Sequence, residues 1–294
     1  MPVRDQGGFR QSALVLGAAQ LGMAYGIANT TGDLDQTAVD ALLAKAAELG
    51  VTHVDTARAY GESEARIGAA PVKPKVITKV APGETDVEAS VTASLTALHE
   101  KSATFLLHRA ADVPIAWDAL RRVKDEGRAD RIGVSVQNPA ELFEVAKLPD
   151  LGYVQLPCNV VDRRWTSAGV ADVLADDVVV TVRSVYLQGL LTAGSAVRWP
   201  HVPDEDRDAA VRVLDEVAAE LGFPNRAGLL VAYPLGLSWV TSVVIGAETL
   251  DQLGENVRLA SRTGLTAVER EMILDRLPPL PVQLVDPSTW GSAR

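Results

Sequence analysis

Four polar residues, Asp55, Tyr60, Lys79 and His108, are spaced along the chain so that their side chains can meet. Asp55, Lys79 and His108 each end a short apolar run, and Tyr60 follows Asp55 by five residues. All four residue types can bind or transfer protons. Each alone has an ordinary structural explanation, as a cap, a surface charge, a packed ring or a hydrogen-bonded histidine. Their shared position at the ends of consecutive runs predicts a reactive site.

The elements that must position these residues alternate between short apolar runs and longer amphipathic stretches. Most of the short runs are continuously apolar, as in parallel strands covered on both faces. We predict strands over residues 13–16, 52–55, 76–79, 104–108, 132–135, 153–156, 178–183 and 242–246. We predict helices over residues 36–49, 87–98, 114–126, 139–147, 166–175, 207–221, 225–233 and 250–260.

This alternation predicts an α/β fold, a single (β/α)8 TIM barrel, whose active site lies at the C-terminal ends of the strands. An open doubly wound sheet is the competing fold, but no G-x-G-x-x-G motif follows any of the predicted strands. We expect residues 1–294 to form one domain, with residues 1–10 and 278–294 as loose or surface-packed termini.

Composition narrows the possible partners and location. The net charge is −10 with scattered acidic residues, which argues against binding to nucleic acid or to an anionic membrane. The single cysteine, Cys158, excludes an intrachain disulfide and a thiolate metal cluster. Residues 1–12 contain no apolar signal segment, which predicts a cytoplasmic protein. The uncharged segment 227–247 is interrupted by Pro234 and Gly236, so we interpret it as a helix, a break and a buried strand.

Segment 55–68, DTARAYGESEARIG, resembles the signature of the aldo-keto reductase family in both residues and spacing. Further similar segments follow, and the resemblance extends from about residue 13 to residue 256. These segments are residues 76–80, 106–109, 127–135, 153–159 and 244–256. The resemblance implies an NAD(P)-dependent oxidoreductase that interconverts a small-molecule carbonyl and its alcohol.

The resemblance also implies roles for the four residues. Tyr60 is the expected general acid for carbonyl reduction and the base for alcohol oxidation. Lys79 would favour the phenolate through its positive charge. Asp55 would orient Lys79 as its ion-pair partner, and His108 would hydrogen-bond the substrate carbonyl.

Cofactor contacts carry over from the same resemblance. Ser135 and Gln155 match positions that hold the nicotinamide carboxamide, and Val136 replaces a frequent Asn. Arg183 stands where an aromatic residue often stacks on the nicotinamide; a guanidinium plane can also stack. Ser184 and Leu187 match the pyrophosphate loop. The adenosine end is matched by Gly246, Ala247, Glu248, Thr249, Gln252 and Asn256.

Glu248 bears on the choice between NADP(H) and NAD(H). Many family members have Arg or Lys at this position, facing the 2′-phosphate of NADP. A carboxylate repels that phosphate and can accept a hydrogen bond from a free ribose hydroxyl. The family favours NADP(H) and this residue favours NAD(H), so both cofactors stay open.

Two other classes of function compete with this interpretation. A metal-dependent hydrolase would use His53, Asp55 and His108, but four histidines without an H-x-H or H-E-x-x-H motif make a poor ligand set. A nicotinamide-binding sensor without catalysis would not need Tyr60 together with Lys79.

The loops around the mouth of the barrel are expected to set the substrate. The loop over residues 188–205, with Trp199 and His201, is expected to form one wall and Trp165 another. An open mouth of this kind would suit a sugar-like carbonyl compound.

Overall fold

Eight parallel strands close into a barrel in the computed structural model of the chain, which describes residues 1–23, 34–165 and 169–290. The predicted (β/α)8 fold is therefore confirmed. Around the barrel the strand order is β10-β3-β4-β5-β6-β7-β8-β9. These strands are β3 (Leu14–Gly17), β4 (His53–Asp55), β5 (Lys75–Val80), β6 (Ala103–Leu107), β7 (Ala129–Ser135), β8 (Tyr153–Pro157), β9 (Val179–Arg183) and β10 (Ser242–Gly246). Their ends lie within one residue of prediction, except that β7 begins at Ala129 rather than at Ile132.

Helices surround the strands, and several begin where a polar side chain caps the first turn, as at Asp35, Asp86 and Asn138. They are α1 (Ala19–Gly22), α2 (Gln36–Glu48), α3 (Ser63–Ala69), α4 (Val87–Leu98), α5 (Val113–Asp125), α6 (Pro139–Val145), α7 (Val170–Val173), α8 (Leu190–Ala193), α9 (Asp204–Glu220), α10 (Arg226–Leu235), α11 (Leu250–Ala260) and α12 (Ala267–Arg276). Residues 166–168 of the helix predicted over 166–175 lie outside the described residues. The sequence analysis did not predict α1, α3, α8 or α12.

The barrel interior explains why particular residues reach the C-terminal end. Val15, Ile77, Leu106, Tyr153 and Val179 pack together in a cluster of their own, separate from the larger core between strands and helices. Side chains alternate faces along a strand. The residues two positions further along β3, β5, β6 and β8 therefore point the same way, into the C-terminal mouth. That set comprises Gly17, Lys79, His108 and Gln155.

An antiparallel hairpin lies at the opposite end of the barrel, formed by β1 (Val3–Gln6) and β2 (Phe9–Ser12). Gln11 is fully buried, and its Nε2 lies 3.1, 3.0 and 2.9 Å from the hydroxyls of Tyr153, Thr181 and Ser242. The N-terminal residues are thus packed onto the barrel floor.

The remaining segments complete the outer layer. Near the C-terminal end of the described residues, Leu284 and Val285 are buried. Trp290 Nε1 donates to the carbonyl oxygen of Leu284 at 3.1 Å. The uncharged segment 227–247 forms all of α10 except Arg226, then a break and β10, as predicted. Within the described ranges, no helix combines the length and apolarity that crossing a bilayer demands.

Candidate active site

A buried ion pair anchors the site at the mouth of the barrel. Lys79 Nζ lies 2.8 Å from each carboxylate oxygen of Asp55 and 2.9 Å from the carbonyl oxygen of Thr56. The side chains of Lys79 and Asp55 are 1% and 6% exposed. An ammonium group has three hydrogens to donate, so these contacts use all of them. Asp55 Oδ1 also accepts from Gln155 Nε2 at 2.8 Å, which ties β8 to the pair.

Tyr60 and His108 complete the four predicted residues, and all four line one cavity. The Tyr60 and His108 rings are edge to face, with centroids 5.8 Å apart and planes at 89°. Lys79 Nζ lies 5.3 Å from the centroid of the Tyr60 ring. Because the ammonium hydrogens of Lys79 are already donated elsewhere, its influence on Tyr60 in this arrangement is that of a nearby charge.

The strand ends differ slightly from prediction at two of these residues. His108 directly follows β6, and Lys79 is the second-last residue of β5, whereas the sequence analysis predicted each as the last residue of its strand.

His108 is held in its neutral form. Burial lowers its pKa to about 4, and the cations of Lys79, Arg183 and Arg109 add to the effect against the opposing charge of Asp112. Its Nδ1 is buried and has no hydrogen-bond partner among the described residues, which leaves Nε2 as the ring nitrogen that can reach the cavity. A neutral imidazole there can donate one hydrogen bond to a carbonyl oxygen without carrying charge.

The loop that carries Tyr60 is fixed by close packing. Gly61 adopts a left-handed φ of +55°, which favours glycine. A Cβ on Gly22 would lie 2.1 Å from the carbonyl oxygen of Tyr60, so α1 can approach the loop only with a glycine. Glu64 then holds the loop against β5, because Oε1 accepts from Thr78 at 2.6 Å and Oε2 from Arg58 at 3.1 Å. Thr78 directly precedes Lys79 in β5. The sequence analysis does not predict the contact between Thr78 and Glu64.

The cavity extends from these residues to the N-terminus of α11 and measures about 780 Å³. Nine of the eleven residues predicted to contact the cofactor line it: Ser135, Gln155, Arg183, Ser184, Gly246, Ala247, Glu248, Gln252 and Asn256. Leu187 and Thr249 do not. Leu187 is fully buried in the core, and Thr249 caps α11 by accepting from Gln252 N at 3.2 Å. Both residues belong to the segments that border the cavity, and their predicted cofactor contacts stay predictions.

The loop that follows β9 has an unusual backbone. Ser184, Leu187, Gln188 and Gly189 have φ values of 61°, 49°, 55° and 91°. Three of these residues are not glycine, so the left-handed conformation costs free energy at each of them. Successive backbone N–H groups in such conformations form concave sites for anions. Two of its N–H groups, those of Leu187 and Gly189, already donate within the loop to the carbonyls of Ser184 and Tyr186.

Two residues that sequence reasoning did not identify support the far end of the cavity. The Tyr186 hydroxyl donates to Asn256 Oδ1 at 3.3 Å, while Asn256 Nδ2 donates to the carbonyl of Gly246 at 3.2 Å. A Cβ on Gly246 would lie 2.4 Å from the side-chain amide of Gln20, so that amide rests on the strand end. Both Tyr186 and Gln20 line the cavity.

Several residues predicted near the mouth lie elsewhere. Trp199 is fully buried in the core rather than exposed on a wall. Trp165 is 3% exposed and donates from Nε1 to Asp162 at 3.1 Å. His201 is 2.9 Å from the carbonyl oxygen of Thr289. None of the three lines the cavity, so their predicted place in its walls is wrong, although Gln188, Gly189 and Thr192 of the predicted loop do line it.

His53 lies on the barrel floor. Its Nδ1 is 2.8 Å from the Thr52 hydroxyl, and its ring centroid is 5.0 Å from that of Phe9. A search of the described ranges gives no cluster of three or more His, Cys, Asp or Glu side chains arranged to hold a metal ion. The His53 ring is thus engaged in packing, at the opposite end of the barrel from the mouth.

Comparison with known proteins places this geometry in a family. The model of the aldo/keto reductase family matches residues 13–273. The chain belongs to this family, and its general role is that of an oxidoreductase.

Similar proteins match most of the length of this chain, but at low sequence identity. L-glyceraldehyde 3-phosphate reductase of Escherichia coli K12 is 27% identical over 90% of this chain and 89% of its own length. The oxidoreductase YqkF of Bacillus subtilis is 24% identical over 78% of this chain and 84% of its own. The holo form of aldo-keto reductase AKR11C1 from Bacillus halodurans superposes with a TM-score of 0.77 at 22% identity, covering 95% and 97% of the two chains. The last comparison shows a shared fold.

Proposed function

We propose that the protein interconverts a carbonyl and an alcohol with a nicotinamide dinucleotide as the hydride carrier. The observation that carries the proposal is the convergence of Tyr60, His108 and the Lys79–Asp55 pair on one wall of a single cavity. A phenol can donate the proton that the carbonyl oxygen takes up, a neutral imidazole can donate a hydrogen bond to that oxygen, and a buried cation can stabilise the phenolate.

The cavity fits a nicotinamide dinucleotide in size and in its chemistry. Its volume of about 780 Å³ lies in the range of sites that enclose small ligands. Gly17 and Gly246 lie side by side at one end, where a Cβ on Gly17 would be 3.2 Å from the Gly246 nitrogen. The Gln20 amide packs over Gly246 at this end, so the lining combines backbone with one polar side chain. The N-terminus of α11 offers N–H groups for a phosphate, and the loop over residues 184–189, with four residues at positive φ, borders the same cavity. Ser135 and Gln155 line the same cavity, and we assign them to the nicotinamide carboxamide.

We assign each residue of the site a separate role in the reduction. A reduced nicotinamide, when bound, would supply a hydride to the carbonyl carbon. His108 donates from Nε2 to the carbonyl oxygen and sets its orientation. The Tyr60 hydroxyl gives its proton to that oxygen as negative charge develops on it, and Lys79 stabilises the resulting phenolate. Asp55 and Thr56 hold Lys79 in place. In the oxidative direction the Tyr60 phenolate takes the alcohol proton.

The far end of the cavity favours NAD(H). Glu248, Asp251 and Glu255 all line it, and the nearby Arg258 is held by Glu255 at 2.6 Å. Carboxylates disfavour a second phosphate on the ribose, whereas they can accept from a free 2′-hydroxyl. We therefore propose that NADH binds at least as well as NADPH.

Two similar proteins act on small polar molecules, according to their names: L-glyceraldehyde 3-phosphate reductase and the glycerol dehydrogenase AKR11B4 of Gluconobacter oxydans. The second superposes with a TM-score of 0.74 at 21% identity. The polar residues around the mouth, among them Gln137, Gln188 and Thr192, suit a substrate of this kind. A short sugar-like carbonyl compound is the substrate class we propose.

The direct test is a pair of measurements on the purified protein. Quenching of tryptophan fluorescence by NADH and NADPH reports binding, and loss of absorbance at 340 nm with short aldehydes and aldoses reports turnover. Both are expected. Binding without turnover on any carbonyl compound would favour a nicotinamide-binding sensor, and the absence of binding would contradict the proposal.

A further inference from the structure

Gln155 and Asp55 meet from opposite sides of the barrel. Gln155 belongs to β8 and Asp55 to β4, and three strands separate β4 from β8 in either direction around the closed barrel. Their side chains nevertheless touch, because Nε2 of Gln155 donates to Oδ1 of Asp55 at 2.8 Å. Gln155 is 1% exposed and lines the cavity. One buried hydrogen bond therefore spans the mouth and joins its two sides.

The carboxylate of Asp55 receives donors from two strands. Lys79 Nζ, on β5, lies 2.8 Å from both of its oxygens, and Gln155, on β8, donates to Oδ1 as well. The terminal torsion of an aspartate side chain has broad minima, so the donors around a buried carboxylate decide how it is turned. The Gln155 amide therefore helps to set the plane of the carboxylate, and through it the place of the Lys79 ammonium group beside Tyr60.

The charge of Asp55 in turn fixes the orientation of the Gln155 amide. A carboxylate can only accept hydrogen bonds, so the amide must turn its nitrogen toward Asp55. That contact uses one of the two N–H groups and leaves Oε1 and the second N–H group for a partner in the cavity. Exchange of the amide nitrogen and oxygen would bring two acceptors together and is unfavourable. The amide therefore offers its oxygen to a ligand that carries an N–H donor, such as a primary carboxamide.

We propose that Gln155 is a positioning residue that couples binding of the nicotinamide ring to the Lys79–Asp55 pair. The inference rests on the proposed function, which assigns Gln155 to the nicotinamide carboxamide. Oε1 accepts from that carboxamide while Nε2 donates to Asp55, so each contact holds the amide in place for the other. Such a coupling between two contacts is reciprocal. A change at Asp55 therefore alters the affinity for the nicotinamide half of the cofactor, and it does so through Gln155.

A double-mutant cycle of dissociation constants tests the coupling. NADH and ADP-ribose, which lacks the nicotinamide ring, are titrated by calorimetry into the wild type, Asp55→Asn, Gln155→Met and the double variant. Asparagine keeps the size of Asp55 but presents an N–H group of its own, which frees the Gln155 amide to turn over. The reduced nicotinamide ring is uncharged, so loss of the Asp55 charge has little direct effect on it.

The proposal gives a distinct pattern of affinities. NADH should bind to Asp55→Asn about fivefold or more weakly than to the wild type, whereas ADP-ribose should bind to both equally. Once Gln155→Met has removed the amide, the same change at Asp55 should have little further effect on NADH. Gln155→Leu serves in place of Gln155→Met if the methionine variant fails to fold.

Gln36→Met is the matched control. Gln36, the first residue of α2, also donates from Nε2 to an aspartate, Asp40, at 2.7 Å, but it lies outside the set of residues that line the cavity. The same substitution there should leave the affinities for NADH and ADP-ribose unchanged.

The outcomes separate failure of this inference from failure of the proposed function. An unchanged NADH affinity in Asp55→Asn overturns the inference. Equal losses of NADH affinity with and without the Gln155 amide overturn it too, as do equal losses for NADH and ADP-ribose. In each of these cases the wild type still binds NADH, so the proposed function stands. Failure of the wild type to bind NADH would instead contradict the proposed function.

Discussion

At the scale of single residues, the position of Lys79 determines how it can act. Its ammonium group donates to Asp55 and Thr56 and faces the Tyr60 ring from 5.3 Å. A hydrogen bond from Lys79 to the Tyr60 hydroxyl would require one contact with Asp55 to open. Asp55 is therefore both the counter-ion of Lys79 and a competitor for its protons.

Replacing Lys79 by Met keeps the length of the side chain and removes the charge. Turnover should fall, because the cation that stabilises the phenolate left by proton transfer is gone. The buried carboxylate of Asp55 also loses its partner, which typically costs about 3 to 5 kcal/mol in the free energy of unfolding. Steady-state kinetics and urea unfolding measure the two effects. Lys124→Met is the matched control, since the exposed pair of Lys124 with Asp150 at 3.3 Å contributes little.

Replacing Tyr60 by Phe removes the proposed proton donor and keeps the ring that packs edge to face with His108. Carbonyl reduction should fall by about 10²- to 10⁴-fold, the usual contribution of general acid catalysis. Nicotinamide affinity, followed by fluorescence titration, should change little. Near wild-type turnover of a good substrate by Tyr60→Phe would remove Tyr60 from the mechanism.

At the scale of elements, sequence patterns predicted those parts of the fold that depend on local signals. Apolar runs mark the barrel strands, and the segment 55–68 brings Asp55 and Tyr60 to the mouth within one motif. The β1–β2 hairpin gave no such signal, because its strands, VRDQ and FRQS, are mostly polar. Its place is decided by contacts distant in sequence, such as that of Gln11 with Ser242.

The predictions that failed at the site concern loops and contacts between residues far apart in sequence. Tyr186 reaches Asn256 across 70 positions in sequence, and no local pattern announces that contact. Trp199 stands in a long loop, where an aromatic residue suggested an exposed wall. The loop instead folds into α8 and short turns that bury it. Contacts made by loops depend on tertiary packing, which residue spacing does not encode.

Helix α11 provides the test of cofactor choice. Glu248 precedes the Thr249 cap, and its backbone N–H donates to Gln252 at 2.7 Å, so its carboxylate is carried by an ordered turn. Glu248→Arg removes a repulsion and adds a cation for a 2′-phosphate, worth about 1.5 to 3 kcal/mol. The ratio of NADPH to NADH dissociation constants should shift toward NADPH by about tenfold to a hundredfold.

Fluorescence titrations of both cofactors, at low and high salt, measure this shift. It should shrink at high salt if the site is open to solvent. Asp118→Arg on the exposed face of α5 makes the same change of charge away from the cavity and should leave the ratio unaltered. A wild-type preference for NADPH, or an unchanged ratio in Glu248→Arg, would show that Glu248 does not face the ribose.

At the scale of the whole molecule, two histidines at opposite ends of the barrel couple folding to pH. Burial lowers the pKa of His53 on the floor to about 4, with a smaller contribution from the charge of Lys75. Burial and nearby cations lower the pKa of His108 at the mouth to about 4 as well. An unfolded chain binds protons at both residues near pH 6.5. Between these values the unfolded state binds more protons than the folded state.

Stability should therefore fall as the pH decreases from about 6.5 toward 4. The full contribution of these groups is present above pH 6.5 and is lost on acidification, because protonation favours the unfolded chain. With folded pKa values of about 4, each histidine removes about 2 kcal/mol between pH 7 and pH 5. Urea unfolding at a series of pH values measures the slope of the unfolding free energy against pH.

His53→Asn keeps a polar group near Thr52. It should make this slope shallower by about the contribution of one histidine, even if the variant is less stable at pH 7. His99→Asn, at an exposed position after α4 with a φ of 54° that asparagine tolerates, is the control and should keep the wild-type slope. An equal slope in wild type and His53→Asn would mean that His53 is protonated as readily in the folded barrel as in the unfolded chain.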